Sequence, residues 1–247
     1  MLSLDDDSLL NNTILLAVSG SRAYGTSVEG VSDQDYKGIC VPPLNYYFGI
    51  ESFSEFNNTG ASDKKNTKDD TDITIKHIVK FAKEAMSGVP SSVELLFERP
   101  EDYLILTDCG KALINNRNLF LSKAMIKKMT GYAKAQIRLL DKKVDENSVV
   151  GYNTKNFMHA VRLITSATEI LNTKNYSTYR PNRNFLLSCR KGEFSHSQAQ
   201  QILSIAFADM IEAEKKTSLP DSPDRNAINT VLTKIEFEHL KLRLSTL

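Results

Sequence analysis

The sequence has few cysteines and no pairing pattern among them. Cys40, Cys109 and Cys189 are the three cysteines in 247 residues, and they lie far apart in the chain. A zinc ribbon or dithiol site usually carries a Cys-x-x-Cys pair, and an odd number of cysteines cannot all be paired in disulfides. We therefore predict three free, buried thiols, with neither a zinc site nor a disulfide framework.

Long hydrophobic runs are also lacking. The run "ILLAV" over residues 14–18 is among the longest, whereas a membrane-spanning helix needs about 20 apolar residues. The opening "MLSLDDDSLL" is acidic and has no basic segment followed by an apolar core, as a signal peptide would. These features predict a cytoplasmic protein with no membrane partner, and they leave the oligomeric state open.

Two familiar nucleotide-binding fingerprints are missing as well. The sequence contains neither Gly-x-x-x-x-Gly-Lys nor a Rossmann Gly-x-Gly-x-x-Gly. This argues against a P-loop NTPase and against a dinucleotide-dependent dehydrogenase.

The composition that is present is ordinary, but its charge is unevenly spread. Hydrophobic residues make up 41% and charged residues 25%, as in soluble globular proteins. Residues 1–100 carry 9 Lys/Arg and 15 Asp/Glu, net −6, whereas residues 101–247 carry 22 and 15, net +7. One interpretation is a set of metal-binding carboxylates facing an anionic substrate; the other is a chance imbalance of solvated surfaces.

Hydrophobic periodicity predicts an α+β N-terminal part followed by a helical C-terminal part, divided near residue 110. The predicted strands cover residues 13–20, 35–41 and 71–75, and a helix follows to Met86. The polar stretch 57–70 is typical of a loop or insertion. Four later helices are predicted around residues 126–140, 157–171, 197–214 and 225–244.

The second predicted strand begins with two acidic residues of the same parity. Asp33 and Asp35 are two positions apart, so on a strand both side chains project from one face, about 6–7 Å apart. Neighbouring carboxylates repel unless they are protonated or share a cation. Because Mg²⁺ prefers oxygen ligands and keeps places for substrate phosphates, the pair indicates a metal platform for phosphoryl or nucleotidyl transfer.

The first predicted strand ends at Gly20-Ser21. A glycine there lets the backbone approach phosphate oxygens closely, and the Ser21 hydroxyl and nearby N–H groups can hold them. Arg22 lies in the same turn and is predicted to neutralise phosphate charge. The turn therefore predicts a phosphate-binding partner for the acidic pair.

These two features together resemble a known signature. Gly-Ser, then 11 residues, then Asp-x-Asp is similar to the pattern of the DNA polymerase β-like nucleotidyltransferase superfamily. The fuller strings "GSRAYGT" and "SDQDYKG" resemble a family of predicted nucleotidyltransferases, one branch of which is associated with RNA ligases and RNA repair, with others in phages. The likeness continues through residues 88–97, 155–164, 192–199 and 219–224, although Val89 stands where relatives commonly have Asn.

The resemblance implies a catalytic domain over residues 1–110, with a mixed sheet and flanking helices, and a helical substrate- or nucleotide-binding domain over 111–247. It implies Asp33 and Asp35 as ligands of Mg²⁺ or Mn²⁺, with Gly20 and Ser21 on the triphosphate of an NTP, expected to be ATP. It also implies a third carboxylate on the strand before the first helix. Asp72 fits best, since it alternates with Ile73 and Ile75, and Asp70 and Asp69 are the alternatives.

A later helix carries a basic stripe. Lys155, His159 and Arg162 fall within about 60° of one another at 100° per residue, on the face opposite the apolar side chains. A solvated basic face is the simpler interpretation, but relatives place a similar face across the cleft, which implies phosphate contacts from Lys155 and Arg162. His159 is then a further anion contact or a proton donor to the leaving group.

The predicted reaction is metal-dependent transfer of a nucleoside monophosphate from NTP to a hydroxyl, with release of pyrophosphate. The expected acceptor is an RNA or tRNA end. A protein hydroxyl is the next alternative acceptor, and a small-molecule hydroxyl follows it. A different class of function is a non-catalytic nucleotide- or RNA-binding module. His77, His196 and the segment around Arg180 and Arg183 are predicted to be structural, although that segment also has the composition of an RNA-stacking loop.

Overall fold

The computed structural model describes residues 7–28, 33–58, 71–142 and 150–244. Its strands form one mixed sheet: β1 (Thr13–Ser19), β2 (Gln34–Cys40), β3 (Glu55–Asn57), β4 (Thr71–His77) and β5 (Tyr103–Leu106). The order across the sheet is β3-β4-β2-β1-β5. Strands β2 and β4 run parallel, and the other neighbouring pairs are antiparallel.

Helices surround this sheet and make up most of the second half of the chain. In chain order they are α1 (Asp7–Asn11), α2 (Gly20–Tyr24), α3 (Asn45–Phe48), α4 (Ile78–Met86), α5 (Pro90–Glu94), α6 (Asp108–Asn115), α7 (Lys123–Arg138), α8 (Thr154–Thr173), α9 (Arg183–Lys191), α10 (His196–Lys216) and α11 (Arg225–Leu244). Short 3₁₀ turns lie at Pro100–Asp102 and Arg117–Phe120. No helix in the described ranges is long and apolar enough to cross a membrane.

The α+β class predicted from periodicity is confirmed. Strand β1 is buried along almost its whole length, which explains why its sequence is a continuous apolar run rather than an alternating one. Strands β3 and β5 were not predicted, because three or four residues give too little periodicity to recognise. Most of the predicted loop 57–70 lies outside the described residues.

The two faces of the sheet are covered differently. Leu15 and Ile39 face a large apolar core shared with the helices, whereas Leu16, Ile73 and Ile75 belong to a small cluster on the other face. The large core takes residues from both sides of position 110, from Ile14 in β1 to Ile235 in α11. The division into two domains stays a prediction.

Several side chains predicted to be structural are so. The three cysteines are buried thiols that form no disulfide with one another. The His77 ring accepts a hydrogen bond from the Val79 N–H at the start of α4, and His196 contacts Asp141 at 2.9 Å. Arg180 is buried and donates a hydrogen bond to the Glu169 carboxylate, which neutralises its charge within the fold.

Candidate active site

The turn after β1 lies directly against the start of β2. Ser19 is the cross-strand neighbour of Asp35, and Gly20 has a positive φ of 67°. A Cβ added to Gly20 would collide with the Asp35 carboxylate. Only glycine satisfies both the conformation and the space, so the predicted phosphate turn and the predicted metal strand form one compact unit.

Two of the three predicted carboxylates lie on neighbouring strands, and the third, Asp33, immediately precedes β2. Asp35 on β2 is in register with Asp72 on β4, and Asp33 precedes Asp35 by two residues, so the three side chains share the face of the sheet that looks toward the helices. Asp69 and Asp70, the alternatives to Asp72, lie outside the described residues.

Asp35 is the carboxylate most affected by its surroundings. Burial raises its pKa; Lys37 opposes that shift, Asp72 and Asp33 add to it, and Lys155 opposes it more weakly. The two neighbouring carboxylates therefore disfavour charge on Asp35. This repulsion, and the all-oxygen donor set, fit a bound divalent cation.

The three carboxylates do not by themselves form a complete metal-binding site. In the part of the chain that the structure describes, no three His, Cys, Asp or Glu side chains are close enough together to hold a metal ion by themselves. Mg²⁺ commonly takes only one or two carboxylates and completes its shell with water and substrate phosphate. Asp33 and Asp35 suit that role, and Asp72 stands beside them.

A cavity of about 310 Å³ opens beside this unit. It brings together residues of the β1 turn, the start of β2 and helix α8, in agreement with the predicted grouping. The lining residues are Gly20, Ser21, Tyr24, Thr26, Val28, Asp33, Asp35, Lys155, Met158, His159, Arg162 and Arg190. We call this the catalytic cavity, after the role that we propose for it.

Two predicted residues are not among that lining. Asp72 is the cross-strand neighbour of Asp35, but it does not itself line the cavity. Arg22 is exposed, and its Nη1 is 3.4 Å from the Gln34 side-chain oxygen. A phosphate contact from Arg22 stays a prediction that the observed side-chain position does not favour.

Helix α8 supplies the opposite wall. Its apolar face is buried as predicted, with Phe157, Val161 and Ile164 at most 1% exposed. Lys155 is exposed at the mouth of the catalytic cavity, whereas Arg162 is buried within it. The basic stripe is therefore not a uniformly solvated face.

Arg162 is held by a buried glutamate that the sequence analysis did not identify. Its Nη1 donates to Glu94 Oε1 at 2.8 Å, and its Cζ lies 3.8 Å from the centre of the Tyr24 ring. The hydroxyls of Tyr24 and Tyr176 donate to the same carboxylate at 2.8 and 2.6 Å. Burial alone would raise the pKa of Glu94, but Arg162 and these hydrogen bonds hold it at about 2.

The Glu94 carboxylate already neutralises the charge of the Arg162 guanidinium, so this charge is not available to balance a phosphate. Its Nε is buried and has no hydrogen-bond partner among the described residues. Arg162 therefore positions Tyr24 and the floor of the catalytic cavity. Lys155 is the cation of the stripe with access to solvent.

His159 lies between those two residues. Burial and the positive charges of Arg162, Lys155 and Arg190 lower its pKa to about 4. The imidazole is therefore neutral at pH 7, so it can accept a hydrogen bond or donate one without carrying charge. A protonated His159 requires an incoming polyanion that reverses the local field.

Lys37 is a further residue that was missed, although its position carried a signal. It follows Asp33 and Asp35 at the same parity, and therefore lies on the same face of β2. Burial lowers its pKa, while Glu94 and Asp35 act in the opposite direction. Lys37 therefore interacts electrostatically with Asp35 and with the buried Glu94 and Glu98.

Glu98 is buried in the same region and forms no ion pair with any described residue, although Lys37 acts weakly to lower its pKa. Its Oε2 has no hydrogen-bond partner among the described residues, and its side chain is 5% exposed. Burial, then Glu94 and Asp102, raise its pKa to about 9. At neutral pH the folded protein therefore holds Glu98 protonated.

Substituting Glu98→Gln should stabilise the protein, and more so as the pH rises. The folded state binds a proton that the unfolded state releases above about pH 4.5, so wild-type stability falls as the pH approaches 9. From pH 5 to pH 8 the difference in free energy of unfolding between the variant and wild type should grow by about 2–4 kcal/mol in favour of the variant. Urea unfolding at the two pH values measures it. Glu101→Gln changes an exposed position, so its stability should depend on pH as that of wild type does. If the stability of Glu98→Gln also depends on pH as that of wild type does, the assignment of a protonated Glu98 is wrong.

Comparison with known proteins shows the family to which the chain belongs. The sequence model of RlaP, the RNA repair pathway DNA polymerase beta family, matches residues 7–234, which include every side chain of the catalytic cavity. Comparison with curated proteins gives no match, and neither does comparison with solved structures. The match spans most of the chain, and the chain therefore belongs to the RlaP family, the RNA repair pathway DNA polymerase beta family.

Proposed function

We propose that the protein transfers a nucleoside monophosphate from NTP, with ATP as the expected donor, to a hydroxyl at an RNA or tRNA end. The observation that carries this proposal is the meeting of Gly20-Ser21, Asp33, Asp35 and Lys155 in one cavity. The RNA-repair family supports an RNA acceptor over a protein or a small molecule.

In this scheme the acceptor oxygen forms a bond to the α-phosphorus as the bond from that phosphorus to the bridging oxygen breaks. Pyrophosphate leaves with the electron pair, and the acceptor proton passes to a carboxylate, for which Asp72 beside Asp35 is the proposed base. Gly20 and Ser21 hold the triphosphate through backbone N–H groups and a hydroxyl. Lys155 offsets the charge of the departing pyrophosphate, and the neutral His159 donates a hydrogen bond to it.

Asp33 and Asp35 would hold the divalent cation. When bound, Mg²⁺ or Mn²⁺ would neutralise the reacting phosphates and acidify the acceptor hydroxyl. The protein itself would fix the positions of triphosphate and acceptor, which accounts for a large share of such catalysis.

A transfer assay with NTP labelled at the α-phosphate tests the proposal. RNA ends should become labelled in the presence of Mg²⁺, labelling should stop with a chelator, and the Asp33→Ala/Asp35→Ala variant should give none. Total cellular RNA, lysate proteins and small hydroxyl compounds serve as parallel acceptors. Labelling confined to protein would favour the protein-modifying alternative, and Mg²⁺-dependent NTP binding without turnover would favour the binding module.

A further inference from the structure

The solvent-facing side of helix α7 is strongly and uniformly basic. The helix has the sequence KAMIKKMTGYAKAQIR, with five Lys or Arg and no acidic residue. Lys123 is paired with Asp221 at 2.9 Å, whereas Lys127, Lys128, Lys134 and Arg138 form no ion pair with any described residue. All four side chains are exposed. Such a surface has the charge expected for a polyanionic partner.

These cations have an ordered arrangement. At 100° per residue Lys127, Lys134 and Arg138 fall within about 40° of one another, along one ridge of the helix. Lys128, Tyr132 and Gln136 follow one another at intervals of four residues and form a second ridge. Gly131 lies between the two ridges, and a side chain added there would meet nothing within 4 Å.

The second ridge leads into another cavity, of about 360 Å³. Tyr132 and Gln136 of α7 form one side of it, and Pro90, Ser91 and Leu163 are among the residues of the other side. Tyr24, His159 and Arg162 line both this cavity and the catalytic cavity. The two cavities are therefore neighbours that share a wall.

Tyr132 gives this second cavity an available aromatic surface. Tyr132 is 45% exposed although it borders a concave site, so part of the residue is accessible to a ligand. Gln136 supplies an amide with both a donor and an acceptor. An aromatic ring with a hydrogen-bonding amide beside it suits an unpaired nucleobase.

We propose that the exposed face of α7 binds the backbone of a single-stranded RNA acceptor, and that Tyr132 stacks on a nucleobase near its reactive end. The identity of the acceptor rests on the proposed function, whereas the binding surface rests on the charges of α7 and the adjoining cavity. Basic side chains that follow a backbone, with an aromatic side chain that stacks on a base, are the common means of holding single-stranded nucleic acid. The strand would run along α7 and deliver its end past Tyr24 to the catalytic cavity.

Fluorescence anisotropy with a labelled, unstructured oligoribonucleotide tests the surface without NTP or metal. The Lys127→Gln/Lys134→Gln/Arg138→Gln variant should lose about 2 units from the slope of log K against log salt, at ~0.7 per phosphate contact. At 0.15 M salt that corresponds to about 50-fold weaker binding. Tyr132→Ala should weaken binding about tenfold, and Tyr132→Phe should not, because the phenyl ring still stacks.

The matched control is Lys216→Gln/Lys234→Gln/Lys241→Gln, which removes the same charge from exposed positions on α10 and α11. This variant should bind RNA as wild type does. Equal weakening in both triple variants would show attraction by net charge alone and would overturn the proposal. Thermal unfolding of each variant establishes that the fold is retained.

The outcome is separable from that of the proposed function. If wild type binds RNA through α7 but transfers no nucleotide, the proposed RNA-binding surface is supported and the proposed reaction is wrong. If wild type transfers to RNA and the α7 variant keeps the same KM for RNA, the reaction stands and the surface falls. A Tyr132→Ala variant that raises the KM for NTP and leaves RNA binding unchanged would assign the second cavity to the nucleotide instead, which also overturns the proposal.

Discussion

Replacing Asp35 by asparagine is expected to reduce nucleotide transfer about 10³-fold while raising the unfolding temperature of the metal-free protein. The first effect follows from the proposed role of Asp35 as a cation ligand, since a bound metal would supply several kcal/mol of charge stabilisation to the transition state. The second follows from the raised pKa of Asp35, which shows that burial and the neighbouring carboxylates disfavour its charge. That cost is fully present above the folded pKa and disappears as the pH falls toward the unfolded value.

The measurements are single-turnover transfer and thermal unfolding with a chelator, at pH 7.5 and pH 4. The stabilisation of Asp35→Asn relative to wild type should shrink at the lower pH. Asp209→Asn is the control, because Asp209 is an exposed residue of α10 far from the carboxylates in the sequence. A variant that keeps its transfer rate, or that is less stable than wild type without metal, would contradict the assignment of Asp35.

Replacing Glu94 by glutamine is expected to destabilise the protein by about 3–5 kcal/mol, because a buried guanidinium is left without its counter-charge. Arg162 and Glu94 have side chains only 8% and 4% exposed, so water cannot replace the lost partner. Tyr24 and Tyr176 also lose the ionised acceptor of their hydrogen bonds. Transfer should fall as well, since Tyr24 lines the catalytic cavity.

A double-mutant cycle distinguishes this pairing from simple damage to the core. Glu94→Gln/Arg162→Met should be less destabilised than the sum of the single variants, by about 2 kcal/mol, because the second substitution removes the uncompensated charge. Urea unfolding measures all four corners. Glu101→Gln, whose partner Arg99 lies at the surface, should change stability by less than about 0.5 kcal/mol; additive single variants would rule out the pairing.

The sequence was informative wherever a feature repeated or followed a fixed spacing. Helix α11 was predicted with both ends correct, and the parity of Asp33, Asp35 and Asp72 predicted the face on which they lie. The proximity of Gly20 to Asp35 was also predicted, because both belong to one short motif. Local patterns therefore identified half of the candidate site before any tertiary contact was known.

The other half depends on tertiary contacts with no local signature. Glu94 lies in the apolar run "VELLF", and a lone glutamate there indicates a buried charge without naming its partner, Arg162, 68 positions away. For the same reason Arg162 was expected on an open basic face. Lys37 was detectable by parity, but only the packed structure shows that burial lowers its pKa.

Strand β4 joins β2 by a parallel pairing, which no tight turn can close. Asp35 and Asp72 are 37 positions apart in the sequence, and closing a loop of that length costs entropy before any contact compensates for it. The antiparallel pairing of β1 with β2, in contrast, brings Gly20 and Asp35 together across 15 positions. During folding the turn proposed to bind phosphate should therefore meet Asp35 first, and Asp72, the proposed base, should join them only when the parallel pairing closes.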